Sequence, residues 1–400
     1  MKKIVLIPDS FKGTLSSTQI CEIVSAEITQ QFPNCEIVSI PVADGGEGSV
    51  DCFLSALGGE KIPATVSGPH LEKMESYFGY LCKSSMTTNN SIANGNPKAD
   101  EGSTAVIEMA SCAGLPLVEN HKDPLGTTTY GVGELLLEAT NHGATKIILG
   151  LGGSCTTDGG CGAAAACGVK FYDKVGSSFI PTGGTLSQIK HIDISGLDPA
   201  IKTVDIVAMC DIENPMYGPE GAAYIFAPQK GATKNEVKLL DEGLIHLANV
   251  IKQDLRADVV TIPGTGAAGA MGAGMVAFFG AQLQMGIETM LDTVHFSEII
   301  KDADLVITGE GKLDSQSLRG KVVIGVAKRA QDAGIPVIAL VGGVESDISN
   351  AYEKGVTAIF PINRLPEDFS VSKEKSAENL AATAQDVLRL IKALELRMSE

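Results

Sequence analysis

Residues 3–8, Lys-Ile-Val-Leu-Ile-Pro, form a short apolar run that stops at Pro8-Asp9. An uninterrupted run of this length is what a parallel strand buried on both faces needs. The residues after it narrow the fold further. Ser16-x-x-Gln19 has the spacing of a capping box, and Ile20, Ile23, Val24 and Ile28 then recur at helical intervals. Residues 36–41 repeat the strand signal, the loop Ala43-Asp-Gly-Gly-Glu-Gly48 comes next, and Val50, Phe53, Leu54 and Leu57 mark a second helix. This β-loop-α-β-loop-α order places glycine-bearing loops at the C-terminal ends of strands, where open α/β sheets bind ligands.

The same reading predicts strands at 104–109, 145–150, 204–209, 303–308, 335–341 and 356–360, and helices near 131–142, 235–255, 319–333 and 375–394. Alternation of this kind defines the α/β class. A chain of 400 residues is long enough for two domains, yet no clean linker divides it. The expected arrangement is therefore discontinuous. Residues 1–70 and 281–400 make a flavodoxin- or Rossmann-like parallel-sheet domain, residues 71–280 make a second α/β domain carrying glycine-rich loops, and the active site lies in the cleft between them. The polar stretch 81–103 reads as a hairpin or an exposed loop.

The formal net charge of −17 opposes binding to nucleic acid or to anionic membranes, so neither is an expected partner. An anionic small molecule must be caught by local cations, backbone N–H groups or metal. The N-terminal apolar run is too short for a signal peptide, and no apolar stretch approaches the roughly 18 residues of a membrane span; the expected location is cytoplasmic. Nine cysteines without a Cys-x-x-Cys pair read as reduced thiols.

Glycines number 45, and glycines and acids concentrate in six loops, 9–13, 43–48, 152–160, 210–215, 263–269 and 308–317, with both types together in four of them. Glycine lets backbone N–H groups approach phosphate closely. Aspartate and glutamate hold Mg²⁺ or accept a hydroxyl proton. Phosphoryl transfer needs both, although Asp-Gly and Gly-Gly alone are also ordinary turn signals. No Gly-x-x-x-x-Gly-Lys-[Ser/Thr] loop is present. Gly264-Thr-Gly266-Ala-Ala-Gly269 matches Gly-x-Gly-x-x-Gly after Val-Val-Thr-Ile-Pro, but residues 274–292 read as continuing helix rather than a second strand ending in an acid. A phosphate cradle at a helix N-terminus fits it better than a dinucleotide site, and close helix packing on small residues is the structural reading of the same glycines. The six histidines lie outside these loops, which leaves base and metal roles to carboxylates.

Taken in order, DSFKGTLS, ADGGEG, IEMASCAGL, TTTYGVGEL, GLGGSCTTDGG, CDIENPMYGPEGAAYIFAPQKGA, PGTGAAGAMGAG and DLVITGEGKLDSQSLRGK resemble the bacterial glycerate kinases from residue 4 to about residue 345. Cys155 and Thr157 depart from that family's usual Ala and Asn, and no departure removes an acid or base from the loops. The resemblance implies ATP, Mg²⁺ and D-glycerate, with 2-phosphoglycerate the favoured product; a dimer is left open.

On this basis Lys12 and Arg319 are expected to hold the glycerate carboxylate, with Asp9 and Ser10 in the same substrate loop. Asp211 and Asp158 are the candidate bases, and Lys12 is also a catalytic candidate. Asp44 and Glu47, or Glu310 and Asp314, are candidates for Mg²⁺. Gly152, Gly153 and Ser154, with Gly264, Gly266 and Gly269, are candidates for the ATP phosphates. Two other classes stay open: an NAD-dependent 2-hydroxy-acid dehydrogenase using Gly264–Gly269, and a non-catalytic sugar-acid or nucleotide sensor. A sensor would be marked by lost loop acids, and here five of the six loops keep an acid or base.

Overall fold

Strand β1 (Lys3–Pro8) is buried along its whole length, and its side chains alternate between two cores. Ile4 and Leu6 face one apolar cluster, while Val5 and Ile7 face another. That is the period-2 geometry of a strand covered on both sides. The computed structural model describes residues 1–43, 45–46, 48–81, 102–315, 317–345 and 347–398; most of the segment expected to be a hairpin or loop at 81–103 lies outside them.

The remaining strands are β2 (Glu36–Ser39), β3 (Glu60–Ser67), β4 (Lys73–Leu81), β5 (Thr104–Glu108), β6 (Lys146–Gly150), β7 (Lys170–Tyr172), β8 (Ser178–Phe179), β9 (His191–Asp193), β10 (Asp205–Met209), β11 (Gln282–Gln284), β12 (Leu305–Glu310), β13 (Val337–Val341) and β14 (Ala358–Pro361). The first sheet runs β2-β1-β12-β13-β14, all parallel. Counted along the chain this is the 2-1-3-4-5 order of flavodoxin-type doubly wound sheets, whose topological switch point falls between the first and third strands. Here that point lies between β1 and β12. The two chain ends meet as the sequence predicts, with Ile4 paired to Leu305 and Val306 to Val337.

The second sheet runs β3-β4-β5-β6-β10-β11. Strands β5, β6, β10 and β11 are parallel, and β3 and β4 add an antiparallel hairpin at one edge. The sequence reading did not resolve this hairpin. Pro63 sits inside β3, which is tolerable on an edge strand and hides its pattern. Thus β3, from the segment 1–70, and β11, from 281–400, both hydrogen-bond into the second sheet. A small antiparallel sheet, β8-β7-β9, completes the set.

Helix Ser17–Gln31 starts at the expected box: Gln19 N–H donates to Ser16 Oγ at 3.2 Å, and Ser16 N–H donates to Gln19 Oε1 at 2.9 Å. It covers the outer face of the first sheet together with the C-terminal helix Ser376–Met398. The inner face packs on helices Ser49–Leu57, Gly286–Thr293 and Val322–Asp332. The same apolar cluster continues to Leu81, Val106, Ile148 and Met209 of the second sheet. Buried Glu108 of β5 ties the two together, since its Oε1 accepts from Val50 N–H at 2.7 Å at the start of helix Ser49–Leu57. The far face of the second sheet is covered by helices including Tyr130–Asn141, Lys234–Leu255 and Ala267–Phe279. Among the described residues no helix is long and apolar enough to cross a membrane, and the eight described cysteines are free thiols.

Ile148 sits fully buried where the two sheets share their core. Ile148→Ala is expected to lower the unfolding free energy by about 2–5 kcal/mol, read from the urea midpoint, with the far-UV circular dichroism of the native state unchanged.

Candidate active site

Three parallel strands end beside one cavity of about 740 Å³. Residues Asp9–Ser16 enter it after β1, Gly152–Ser154 after β6, and Cys210–Ile212 after β10. Each loop is shaped by local bonds. Asp9 N–H donates to Gly309 O at 2.8 Å, and the Asp9 carboxylate caps Ser10 N–H at 2.7 Å. Phe11 and Leu15 exchange backbone bonds around Gly13, whose φ of 80° closes the turn. Ser17 Oγ donates to Pro8 O and accepts from Val42 N–H, fixing the end of β1 against the chain leaving β2. The loop after β12 reaches the same place: a Cβ on Gly311 would stand 3.3 Å from Lys12 N.

Of the residues singled out in the sequence, Asp9, Ser10, Lys12, Gly152, Gly153, Ser154 and Asp211 line this cavity together. Asp211 Oδ1 accepts from Gly286 N–H at 2.7 Å, which places the carboxylate at the start of helix Gly286–Thr293. Asp158 lies elsewhere. It is fully buried, and its carboxylate accepts from Thr129 N–H at 2.7 Å, Thr129 Oγ1 at 2.8 Å, Gly162 N–H at 3.1 Å, Gly160 N–H at 3.2 Å and Thr128 Oγ1 at 3.3 Å. Burial raises its pKa, and these donors oppose the rise. The arrangement binds loop 154–162 to loop 127–130.

Gly264, Gly266 and Gly269 are outside the cavity lining, although their neighbours Ala267 and Ala268 are part of it. Their lack of side chains serves packing. A Cβ on Gly266 would stand 2.2 Å from Pro215 O, and one on Gly269 would stand 2.0 Å from Thr156 O. Val259–Pro263 forms turns rather than the strand that a dinucleotide fingerprint requires. Arg319 is exposed in a 3₁₀ turn and does not line the cavity; Glu310 and Asp314 also lie off its lining. Glu310 is buried with Oε1 lacking a hydrogen-bond partner. Burial, with a smaller contribution from Asp9, pushes its pKa up to about 7. Asp44 and Glu47 fall outside the described residues. Among the described residues no group of three or more His, Cys, Asp or Glu is arranged to hold a metal ion.

The structure adds residues that sequence reasoning left unassigned: Phe226, Gln229, Lys230 and Lys321. Lys230 ends the turn Pro228–Lys230 and is only 2% exposed. Its ammonium donates to Ser154 Oγ at 2.8 Å and to Thr156 O at 2.6 Å, and burial pulls its pKa down to about 8. A lysine in an apolar Ala-Tyr-Ile-Phe-Ala-Pro segment, with a glycine directly after it, was the available signal.

The chain resembles known proteins along nearly its whole length. The model of the glycerate kinase family matches residues 4–392. The chain belongs to the glycerate kinase family. It is 42% identical to a glycerate kinase of Bacillus cereus over 386 residues, 96% of this chain and 97% of the relative. It is 43% identical to the glycerate 2-kinase of Escherichia coli, over 95% and 97% of the two chains. A crystal structure from Salmonella typhimurium LT2, of a protein assigned as glycerate kinase 2, superposes with a TM-score of 0.84 at 37% identity and covers 99% of both chains. Membership in this family makes the chain a kinase, with ATP the phosphate donor that such chemistry implies.

Removing the Asp158 carboxylate strands buried donors at Thr129, Gly160 and Gly162, so Asp158→Ala is expected to destabilise the fold by roughly 3–5 kcal/mol. A melting temperature within two degrees of wild type would refute the structural role given to this carboxylate.

Proposed function

We propose that this protein transfers the γ-phosphoryl group of Mg²⁺·ATP to the 2-hydroxyl of D-glycerate, giving 2-phosphoglycerate and ADP. The observation that carries this reading is the convergence of Lys12, Asp211 and the Gly152–Ser154 loop on one cavity in a chain of the glycerate kinase family. The name of the Escherichia coli relative supports the choice of the 2-hydroxyl. We further propose that the first sheet and its helices form one domain, broadly residues 1–70 with 281–400, and that 71–280 forms the other. In this division β3 and β11 are the strands by which the first segment crosses into the second sheet, and the cavity is the cleft between the domains.

The roles rest on position. Exposed Lys12, on the loop after β1, pairs with the glycerate carboxylate. Asp211 accepts the proton of the attacking hydroxyl; its Oδ1 is already oriented by Gly286 N–H. The hydroxyl oxygen then bonds to the γ-phosphorus as the bond to the bridging oxygen of ADP breaks. Gly152 and Gly153 allow backbone approach to the phosphates. Mg²⁺ bound with the nucleotide would need only one or two carboxylates from the protein, for which Asp9 stands on the cavity wall, and it would supply charge neutralisation on phosphoryl oxygens. Asp158 keeps the phosphate loop in shape from behind. Arg319, exposed and off the cavity wall, has no part in this scheme.

Purified protein is expected to release ADP from ATP only when D-glycerate and Mg²⁺ are both present. Phosphorus NMR of the product should show a doublet, because phosphate on the 2-oxygen couples to one carbon-bound proton; a triplet would place it on the 3-oxygen. Absence of ADP release would end the kinase reading. Asp211→Asn is expected to lower kcat by about 10²–10⁴-fold with an unchanged melting temperature. Lys12→Ala should mainly raise KM for glycerate, because it holds ground and transition states alike.

A further inference from the structure

Among the described residues, Lys230 is a cation that the fold buries without giving it an anion. Its ammonium bonds two neutral oxygens, Ser154 Oγ and Thr156 O. The nearby carboxylate of Asp158 contributes at a distance and is itself occupied by donors from Thr128, Thr129, Gly160 and Gly162. Burying an ammonium with no ion-pair partner is costly unless something else supplies the negative charge. The residue nevertheless forms part of the wall of the 740 Å³ cavity, beside Gly152, Gly153 and Ser154. The missing charge therefore belongs to a ligand of that cavity, on the side where the glycine loop lies.

We propose that Lys230 is the phosphoryl-binding cation of this kinase: its ammonium, with the Ser154 hydroxyl it orients, neutralises the γ-phosphoryl oxygens during transfer. This rests on the cavity being the site of phosphoryl transfer. Lys230 keeps its protons throughout; the hydroxyl proton passes to Asp211, and the electron pair of the broken bond leaves with ADP. A rigid donor held in a dry wall stabilises the transferring group more than a solvated one, since no reorganisation is needed as charge shifts. The location on the glycine-loop side separates this role from that of Lys12, which reaches the cavity from the loop after β1.

The proposal has a pH signature. Lys230 is protonated below about pH 8 and neutral above it. The groups facing it are Asp158 and Cys155; the Cys155 thiol is pushed up to about 12 by burial and stays neutral across this range. Asp9, Lys12, Asp211 and Lys321 stand elsewhere on the wall. In the wild-type enzyme kcat/KM for ATP should fall about tenfold per unit as pH rises beyond roughly 8. Lys230→Arg, which cannot lose its charge in this range, should lack that fall even if its activity is reduced. Titration of ATP itself is common to both proteins.

Lys230→Met is expected to lower kcat/KM for ATP by about 10²–10³-fold and, in calorimetry without glycerate, to weaken ATP more than ADP. A residue that merely tied Ser154 to Thr156 would cost melting temperature and leave the ATP-to-ADP ratio and the alkaline limb unchanged. An alkaline limb that persists in Lys230→Arg overturns the proposal. So does a Lys230→Met enzyme with kcat/KM for ATP within threefold of wild type, or one in which only KM for glycerate rises. Asp211→Asn and Lys12→Ala run alongside. If all three sites are silent, the cavity itself is not the reaction site; if only the Lys230 variants are silent, this proposal alone fails.

Discussion

The site depends first on a backbone-to-backbone contact. Gly152 N–H donates to Gly45 O at 3.0 Å, and a Cβ on Gly152 would stand 2.6 Å from Gly46 Cα. On the other side of this loop, Cys155 N–H donates to Ala113 O at 2.9 Å. The loop after β6 is thus clamped between the glycine loop preceding helix Ser49–Leu57 and the segment after β5. Any side chain at Gly152 must push these loops apart, and the cavity wall with them. A contact of this closeness requires glycine at 152, and Gly150 is held the same way, since a Cβ there would stand 2.5 Å from Gly45 O.

The contact holds its place because of the core beneath it. Val5, Ile7 and Val306 of the first sheet and Val106, Ile148 and Met209 of the second face a single apolar cluster filled by three helices. Displacing one sheet relative to the other would expose these side chains, at roughly 25 cal/mol for each Å² of apolar surface. The strand ends on either side of the cavity are therefore fixed by a buried core that the two sheets share. The loops carry the chemistry and the sheets set the distances between them.

Much of this was legible in the sequence, for reasons that differ by element. Strands β1, β6, β10, β12 and β13 are buried on both faces and so read as plain apolar runs. The helix from Ser17 announced itself by its capping box. The β3–β4 hairpin did not, because Pro63 interrupts its edge strand and argues against a strand there. Candidate site residues were visible as types, since acids, lysines and glycines stand out in short loops. Their directions were not. Asp158 and Asp211 look alike in sequence, each an acid in a short loop after a strand, but one turns inward onto Thr129 and the other opens to the cavity. Lys230 was hidden for the opposite reason. It sits in an apolar stretch like a chance surface lysine, and only folding reveals that Ser154, far earlier in the chain, is its partner.

The electrostatics of the site reflect a tension between scales. At net charge −17 the molecule's long-range field works against anions, yet the proposed substrates are both anionic. Screening in 0.15 M salt confines that repulsion to about 8 Å, so binding is decided by what the ligand meets at contact. The three lysines on the cavity wall differ in how much water reaches them: Lys12 is exposed, Lys321 half-buried and Lys230 almost fully buried. The attraction each offers grows as the effective dielectric falls, and the deepest cation is the strongest per ångström. Its lowered pKa is the counterpart of that strength. The same burial that makes Lys230 eager for an anion makes its charge expensive without one, so the cavity is better adapted to its loaded state than to its empty one.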